Sequence, residues 1–257
     1  MPELHEISYS REATIAAFRD YYQFLTRMYM PETMIDEPPT GGWPSITNEK
    51  VRLLGKNEEV AQLMRHLPYL SDRGVLATGC ECAHWPDLFA EFARICVKEM
   101  RFCTEDLGWE NVPPTAFGIL FDRDCRIVLD TKFGVIHWVD GIREEALQDP
   151  ALKIIPDDEF WRCTPDTEDW RCGPAWSIPD FFEVLKQLHR DLIYIPIHET
   201  RVEEFFDEYE TSDHSPYLSL VRKVYREHGW PDLSVYKKEE CMRAVEKLLD
   251  ERFDEWY

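Results

Sequence analysis

Residues 117–141, FGILFDRDCRIVLDTKFGVIHWVDG, contain three runs rich in Ile, Val, Leu and Phe. Short polar segments, DRDC and DTKFG, separate these runs. Short turns between β-rich apolar runs are typical of antiparallel hairpins. The stretch therefore predicts an antiparallel meander, which forms the sheet of an α+β fold.

Helical patterns lie on both sides of the meander. In residues 11–30, apolar side chains recur at spacings of three and four, which places them on one helix face. Further helices are predicted over residues 57–67, with Asn57 as the cap, and over residues 86–101, 216–228 and 237–256. Another helix is predicted after a Ser177 cap, where the apolar face is formed by Phe181, Leu185, Leu188 and Leu192. We therefore expect several helices to pack on the sheet in a single α+β domain over residues 1–257. Its core spans residues 15–195, and a helical C-terminal extension spans residues 197–257.

The charge balance favours one class of partner. The chain has 50 acidic and 29 basic residues among 257, which gives a formal net charge of −21. Such a field repels phosphate backbones and anionic membranes, so it argues against nucleic acid and membrane partners. It favours a basic protein partner, although a solvated acidic surface without a specific site carries the same charge. The sequence predicts no oligomeric state.

The N-terminal residues indicate where the protein resides. The stretch MPELHEISYSREATIAAF contains Glu3, Glu6 and Glu12 and no apolar segment typical of a secretory signal. No apolar run approaches the roughly 20 residues of a membrane helix. We therefore expect an intracellular, cytoplasmic protein whose eight cysteines are reduced thiols.

A Gly-rich turn, GGWPSIT at residues 41–47, precedes the helix predicted over residues 57–67. The bulky Trp43-Pro44 pair requires a sharp bend of the backbone, which the two preceding glycines permit. Such a turn shapes a ligand pocket or seats a large ring in the core. We expect the second arrangement, with Trp43 buried between the helix and the sheet.

Sequence motifs of the common catalytic and cofactor-binding sites are absent. The chain contains no G-x-S-x-G, P-loop, G-x-G-x-x-G or H-E-x-x-H motif. In TGCECAH, residues 78–84, the spacing Cys-x-Cys is not the usual zinc pairing, although Cys163 and Cys172 could supply further thiolates. We predict no catalytic residues, no metal and no cofactor. The alternative is a hydrolase or transferase with an aromatic-lined pocket and a site drawn from Cys82, His84, Asp130 and His137.

The long polar stretch 142–175 is predicted to be a surface loop.

The acidic segment ETRVEEFFDEYETSD, residues 199–213, has seven acids, one base and three aromatic rings. Acids steer a basic partner toward the surface, and aromatic side chains supply buried contact area. The predicted partner-binding residues are Glu203, Glu204, Phe205, Phe206, Asp207, Glu208 and Tyr209. The alternative is that the rings pack inward and the acids are only solvated.

The order of the predicted elements resembles the SMI1/KNR4, or SUKH, superfamily. The resemblance rests on Trp43 and Pro44 in a turn before a short helix that ends in HLPYL, and on a later helix introduced by Ser177 with the pair Phe181 and Phe182. It covers about residues 15–195. The resemblance implies a non-enzymatic binding scaffold or regulator. Relatives in that superfamily include fungal regulators of cell-wall synthesis and bacterial immunity proteins.

Overall fold

The computed structural model describes residues 4–71, 74–91, 96–105, 112–121, 125–140, 174–205 and 216–253. Helices and small antiparallel sheets alternate along these residues, which confirms the predicted α+β class. The helices in the described ranges are α1 Arg11–Met28, α2 Asn48–Leu53, α3 Glu58–His66, α4 Trp85–Ala90, α5 Val97–Thr104, α6 Ile178–Arg190, α7 Pro216–Glu227 and α8 Lys238–Phe253. The strands are β1 Ile35–Asp36, β2 Tyr69–Leu70, β3 Val75–Ala77, β4 Cys80–Glu81, β5 Ala116–Gly118, β6 Arg126–Asp130, β7 Val135–Asp140, β8 Ala175–Ser177, β9 Tyr194–His198 and β10 Arg201–Glu204.

The predicted meander forms the largest sheet of the described residues. Strands β5, β6, β7 and β8 are neighbours in that order, and each pair is antiparallel. Strand β8 contains Ala175, which the sequence assigned to a surface loop, and its Trp176 is 1% exposed. Because Trp176 pairs with Ile136 of β7, the end of that predicted loop is a sheet strand. The rest of the loop, residues 142–173, lies outside the described residues.

The two faces of this sheet have different surroundings. Leu129, Ile136 and Trp176 are directly opposite one another in neighbouring strands, so their side chains share one face. On this face the ring of Phe181 in α6 lies 6.2 Å from the ring of Trp176. Asp130 pairs with Val135, and alternation along β6 and β7 directs Asp130 and His137 to the opposite face.

Local capping explains where the main helices begin. The side chains of Asn57 and Ser177 accept hydrogen bonds from the backbone amides of Val60 and Asp180, as the sequence predicts. Residues 86–101 were predicted to form one helix, but they contain most of α4 and the first part of α5. The short helix α2 was not predicted from the sequence. No helix in the described part of the chain combines the length and apolar character needed to cross a membrane.

The C-terminal helices share the core of the rest of the chain. One cluster of buried apolar side chains includes Leu25 of α1, Leu129 of β6, and Val221 and Val245 of α7 and α8. The segment between α7 and α8 is also hydrogen-bonded to the end of α1, because the hydroxyl of Tyr236 donates to the Met28 carbonyl over 2.7 Å. The helical extension is therefore packed on the body of the domain.

Candidate functional site

The turn that carries Trp43 is held against the C-terminal end of α3. Gly42 has φ of 84°, and a Cβ there would lie 2.6 Å from the Arg65 carbonyl oxygen, so this position requires glycine. The Trp43 backbone amide donates to that carbonyl over 2.9 Å. The indole Nε1 donates to the carbonyl oxygen of Leu67 over 2.8 Å.

The prediction that Trp43 is a buried plug between the helix and the sheet is wrong. The ring is only partly buried, and it lies beside β2, where its centroid is 6.0 Å from that of Tyr69. The backbone hydrogen bond to Arg65 explains this position, because it fixes the turn over the last residues of α3. Trp43 therefore packs against the core without being fully buried.

His84 lies next to Trp43 and between two carboxylates. Its ring centroid is 6.3 Å from that of Trp43 and 5.6 Å from that of Tyr69. Its Nε2 is 3.3 Å from Oδ2 of Asp36, and its Nδ1 is 2.9 Å from Oδ2 of Asp87. We call these five residues, Asp36, Trp43, Tyr69, His84 and Asp87, the Trp43–His84 site.

Four chain segments converge to build this site: β1, the turn of Trp43, β2 and the start of α4. Asp36 ends β1 and pairs with Tyr69 of β2, while His84 immediately precedes α4 and Asp87 lies in its first turn. The His84 side chain is 18% exposed, but the side chains of Asp36 and Asp87 are 41% and 80% exposed. The site thus combines two carboxyl groups with a single imidazole, so acidic groups outnumber basic ones.

The residues of the alternative catalytic site do not come together. Cys82 is buried in the main core, and burial raises the pKa of its thiol to about 12. A thiol with that pKa is protonated at neutral pH and is a poor nucleophile. Asp130 and His137 are fully buried on the sheet face opposite Leu129 and Ile136, which belong to that core. The four residues therefore do not form one constellation.

The sequence predicts no metal site, and the alternative of a zinc cluster drew on the thiols of residues 78–84 with Cys163 and Cys172. Cys80, Cys82, Cys96, Cys103, Cys125 and Cys241 carry free thiols. Within the ranges that the structure describes, no group of three or more His, Cys, Asp or Glu side chains has an arrangement that could hold a metal ion. Cys163 and Cys172 lie outside those ranges.

The acidic segment 199–213 is described only at its start. Phe205 is 7% exposed, and the guanidinium of Arg222 lies 4.0 Å from its ring centroid. Glu204 is 8% exposed, whereas Glu203 is partly exposed and accepts a hydrogen bond from Arg201 over 2.6 Å. The ring of Phe205 thus packs inward, as the alternative interpretation expected. The remaining predicted contacts, Phe206, Asp207, Glu208 and Tyr209, lie outside the described residues.

Sequence reasoning identified Trp43 and His84 but missed both carboxylates. Asp87 had a detectable signal, since it follows His84 by three residues at the start of a helix, where such side chains are neighbours. Asp36 had no such signal in the sequence, because it comes near His84 only through the pairing of β1 with β2.

Comparisons with protein families, with curated proteins and with solved structures found no match to this chain.

Proposed function

We propose that this protein is a non-enzymatic interaction domain that binds a basic segment of a protein partner in the cytoplasm. The observation that carries the proposal is the Trp43–His84 site, in which the partly buried Trp43 lies beside His84, and the two ring nitrogens of His84 face two exposed carboxylates. An arginine or lysine side chain of the partner has the charge and shape that suit this arrangement.

Both kinds of group in the site favour a cation. A guanidinium or ammonium over an indole face is stabilised by about 0.5–1 kcal/mol when exposed and by about 2 kcal/mol when desolvated. Charge-assisted hydrogen bonds to carboxylates are stronger still, and arginine can form two of them in parallel. Among the described residues, Asp36 and Asp87 contact His84 and form no ion pair with a lysine or arginine. The basic Arg65, at the C-terminal end of α3, donates to the Gly41 carbonyl over 2.9 Å.

The charge of the whole chain supports the same class of partner. A net charge of −21 attracts basic proteins over a distance and repels phosphate backbones. We therefore propose a protein ligand and not a nucleic acid or a membrane surface. Glu203, with Phe206, Asp207, Glu208 and Tyr209, stays a predicted second contact of that partner.

The resemblance to the SMI1/KNR4 superfamily is part of this proposal. The Trp43-Pro44 turn before α3 and the Ser177-capped α6 correspond to the features on which the resemblance rests. In α6, the ring of Phe181 packs against Trp138 of the sheet, and the ring centroid of Phe182 lies 4.8 Å from that of Phe18 in α1. A scaffold of that kind binds through its surface, which agrees with the burial of Cys82 in the main core and of Asp130 and His137 on the opposite face of the sheet.

Calorimetric titration of the full chain with a Gly/Ser peptide that bears several arginines tests the proposal. The double variant Asp36→Asn with Asp87→Asn should bind the peptide about tenfold more weakly, because it loses the charge-assisted contacts. The matched control, Glu227→Gln with Glu251→Gln, removes the same amount of charge from exposed helix positions of α7 and α8. It should bind nearly as tightly as the wild-type chain.

A second peptide distinguishes recognition of the arginine charge from nonspecific binding. Replacing each arginine with citrulline keeps the shape of the side chain and removes its charge, so binding to the wild-type chain should be lost. The proposal is overturned if the arginine peptide does not bind at low salt, or if the Asp36/Asp87 variant binds it as tightly as the control does. Unchanged circular dichroism of both variants would establish that they are folded.

A further inference from the structure

The sulfurs of Cys80 and Cys125 are in direct contact. Their Sγ atoms are 2.7 Å apart, although the residues are 45 positions apart in sequence. Cys80 opens β4 and is 2% exposed, and Cys125 immediately precedes β6 and is 8% exposed. A disulfide bond is about 2.05 Å long, so the two sulfur atoms need to approach each other by only roughly 0.7 Å more to form the bond.

The backbone around the two cysteines already joins their segments. Cys82 forms a bridge with Leu120, and the amide of Phe121 donates to the Glu81 carbonyl over 2.9 Å. The amide of Ile119 in turn donates to the carbonyl of Ile127 in β6 over 3.0 Å. The β3–β4 hairpin is thereby attached beside β5, the edge strand of the four-stranded sheet, and Cys125 immediately precedes the neighbouring strand β6. Backbone hydrogen bonds therefore already hold the segments of the two cysteines together.

We propose that Cys80 and Cys125 form a reversible disulfide by exchange with a small-molecule disulfide such as oxidised glutathione. The thiolate of Cys125, the more exposed of the two, attacks one glutathione sulfur and releases the first glutathione thiolate. The thiolate of Cys80 then attacks the Cys125 sulfur of the mixed disulfide and releases the second. The protons of the two cysteine thiols end on the two glutathione thiols, and the pair of electrons lost by the cysteines reduces the oxidant.

Three other thiols, those of Cys82, Cys241 and Cys96, are less suited to this exchange. Burial raises the pKa of Cys82 to about 12 and that of Cys241 to about 11, which keeps both in the unreactive thiol form. Cys96 is exposed and should react with glutathione, but only to a mixed disulfide, since no sulfur contact of Cys96 is found in the described ranges. Selectivity for the Cys80–Cys125 pair follows from its contact distance.

The disulfide would close a loop that contains His84 and Asp87. It is independent of the proposed binding function, because the bond forms or fails to form whatever the Trp43–His84 site binds. Its physical effect is to constrain the unfolded chain, which stabilises the folded state most when the closed loop is long.

Peptide mapping of the full chain in glutathione buffers tests this proposal. The chain is equilibrated at several ratios of oxidised to reduced glutathione, its remaining thiols are alkylated at acid pH, and it is digested without reductant. We expect a cross-linked peptide of Cys80 and Cys125, two hydrogen masses lighter than the separate peptides, which disappears after treatment with dithiothreitol. Cys96 should carry glutathione alone.

Three variants and a refolding arm make the outcome decisive. Cys80→Ser and Cys125→Ser should each abolish the cross-link, whereas the matched control Cys82→Ser should retain it. Refolding the reduced, denatured chain in the same buffers removes any barrier that burial sets for the native protein. Recovery of Cys80 and Cys125 as alkylated thiols in both arms would overturn the proposal, as would a cross-link that joins either of them to another cysteine.

Discussion

The ammonium of Lys56 lies 2.7 Å from Oε1 of Glu105, and their side chains are 1% and 0% exposed. Lys56 lies in the segment between α2 and α3, and Glu105 immediately follows α5, so this ion pair links the segment before α3 to the end of α5. Arg101 contacts the other oxygen, since its Nε is 3.1 Å from Oε2 of Glu105. Burial lowers the pKa of Lys56, and the adjacent Glu105 carboxylate opposes that shift.

Glu105→Gln should strongly destabilise the protein. The substitution leaves a buried ammonium beside Arg101 without a carboxylate, and breaking a buried ion pair by removing one partner typically costs about 3–5 kcal/mol. Urea unfolding of the variant and the wild-type chain measures this loss. The double variant Lys56→Met with Glu105→Leu should recover much of it, because neither charge then remains buried.

A surface pair provides the control for that experiment. Nζ of Lys223 lies 3.7 Å from Oε1 of Glu227, and these side chains are 71% and 58% exposed. Such exposed ion pairs contribute little to the stability of the folded state. Glu227→Gln should leave the urea midpoint almost unchanged. If Glu105→Gln were as mild as Glu227→Gln, the Lys56–Glu105 pair would not stabilise the fold.

Gly118→Ala should destabilise the junction between β5 and α5. A Cβ at this position would lie 1.9 Å from the Thr104 carbonyl oxygen, which belongs to the backbone and cannot rotate away. Overpacking typically costs about 1–3 kcal/mol, and we expect the upper end of that range or more here. Gly41→Ala is the comparison, because a Cβ there meets nothing within 4 Å and only its φ of 91° causes strain. Thermal melts of both variants should show the larger loss for Gly118→Ala.

His189 should make stability fall as the pH drops below neutrality. Burial lowers the pKa of this fully buried imidazole to about 4, from 6.5 in the unfolded chain. Above pH 6.5 both states are neutral, whereas between pH 6.5 and 4 the unfolded state binds a proton that the folded state does not. The group therefore costs stability as pH falls through this window, by about 3 kcal/mol in total.

The pH effect of His189 is measured as a difference between two chains. His189→Gln keeps a donor for the Tyr194 carbonyl, which lies 3.2 Å from Nδ1, but does not titrate. The free energy of unfolding of this variant should depend less on pH between 6.5 and 4 than that of the wild-type chain. Parallel curves would show that His189 is not the group responsible.

Trp43→Ala should cost less than the loss of a core tryptophan. Truncating a buried tryptophan costs about 3–5 kcal/mol, whereas Trp43 is only partly buried and forms one side-chain hydrogen bond, so we expect about 1–3 kcal/mol. Trp85→Ala is the matched comparison, since Trp85 is 1% exposed and its Nε1 donates to the Gly118 carbonyl over 3.2 Å. Equal losses of melting temperature for the two variants would contradict a partly solvent-facing Trp43.

The sequence by itself determined the elements whose signals are local. The runs of residues 117–141 predicted β5, β6 and β7 because β-rich apolar runs and the short turns between them are visible in a short window of sequence. The caps Asn57 and Ser177 located the starts of α3 and α6, since a capping side chain bonds to an amide three residues away.

Only the tertiary structure decided which side chains meet. Asp36 reaches His84 through the long-range pairing of β1 with β2, and the inward position of Phe205 follows from its contact with Arg222 of α7. The burial of Glu105 likewise depends on Lys56 from a distant segment. A sequence window encodes the period of a helix or strand, but the desolvation of a charge and the exposure of a ring depend on groups that approach from elsewhere in the chain.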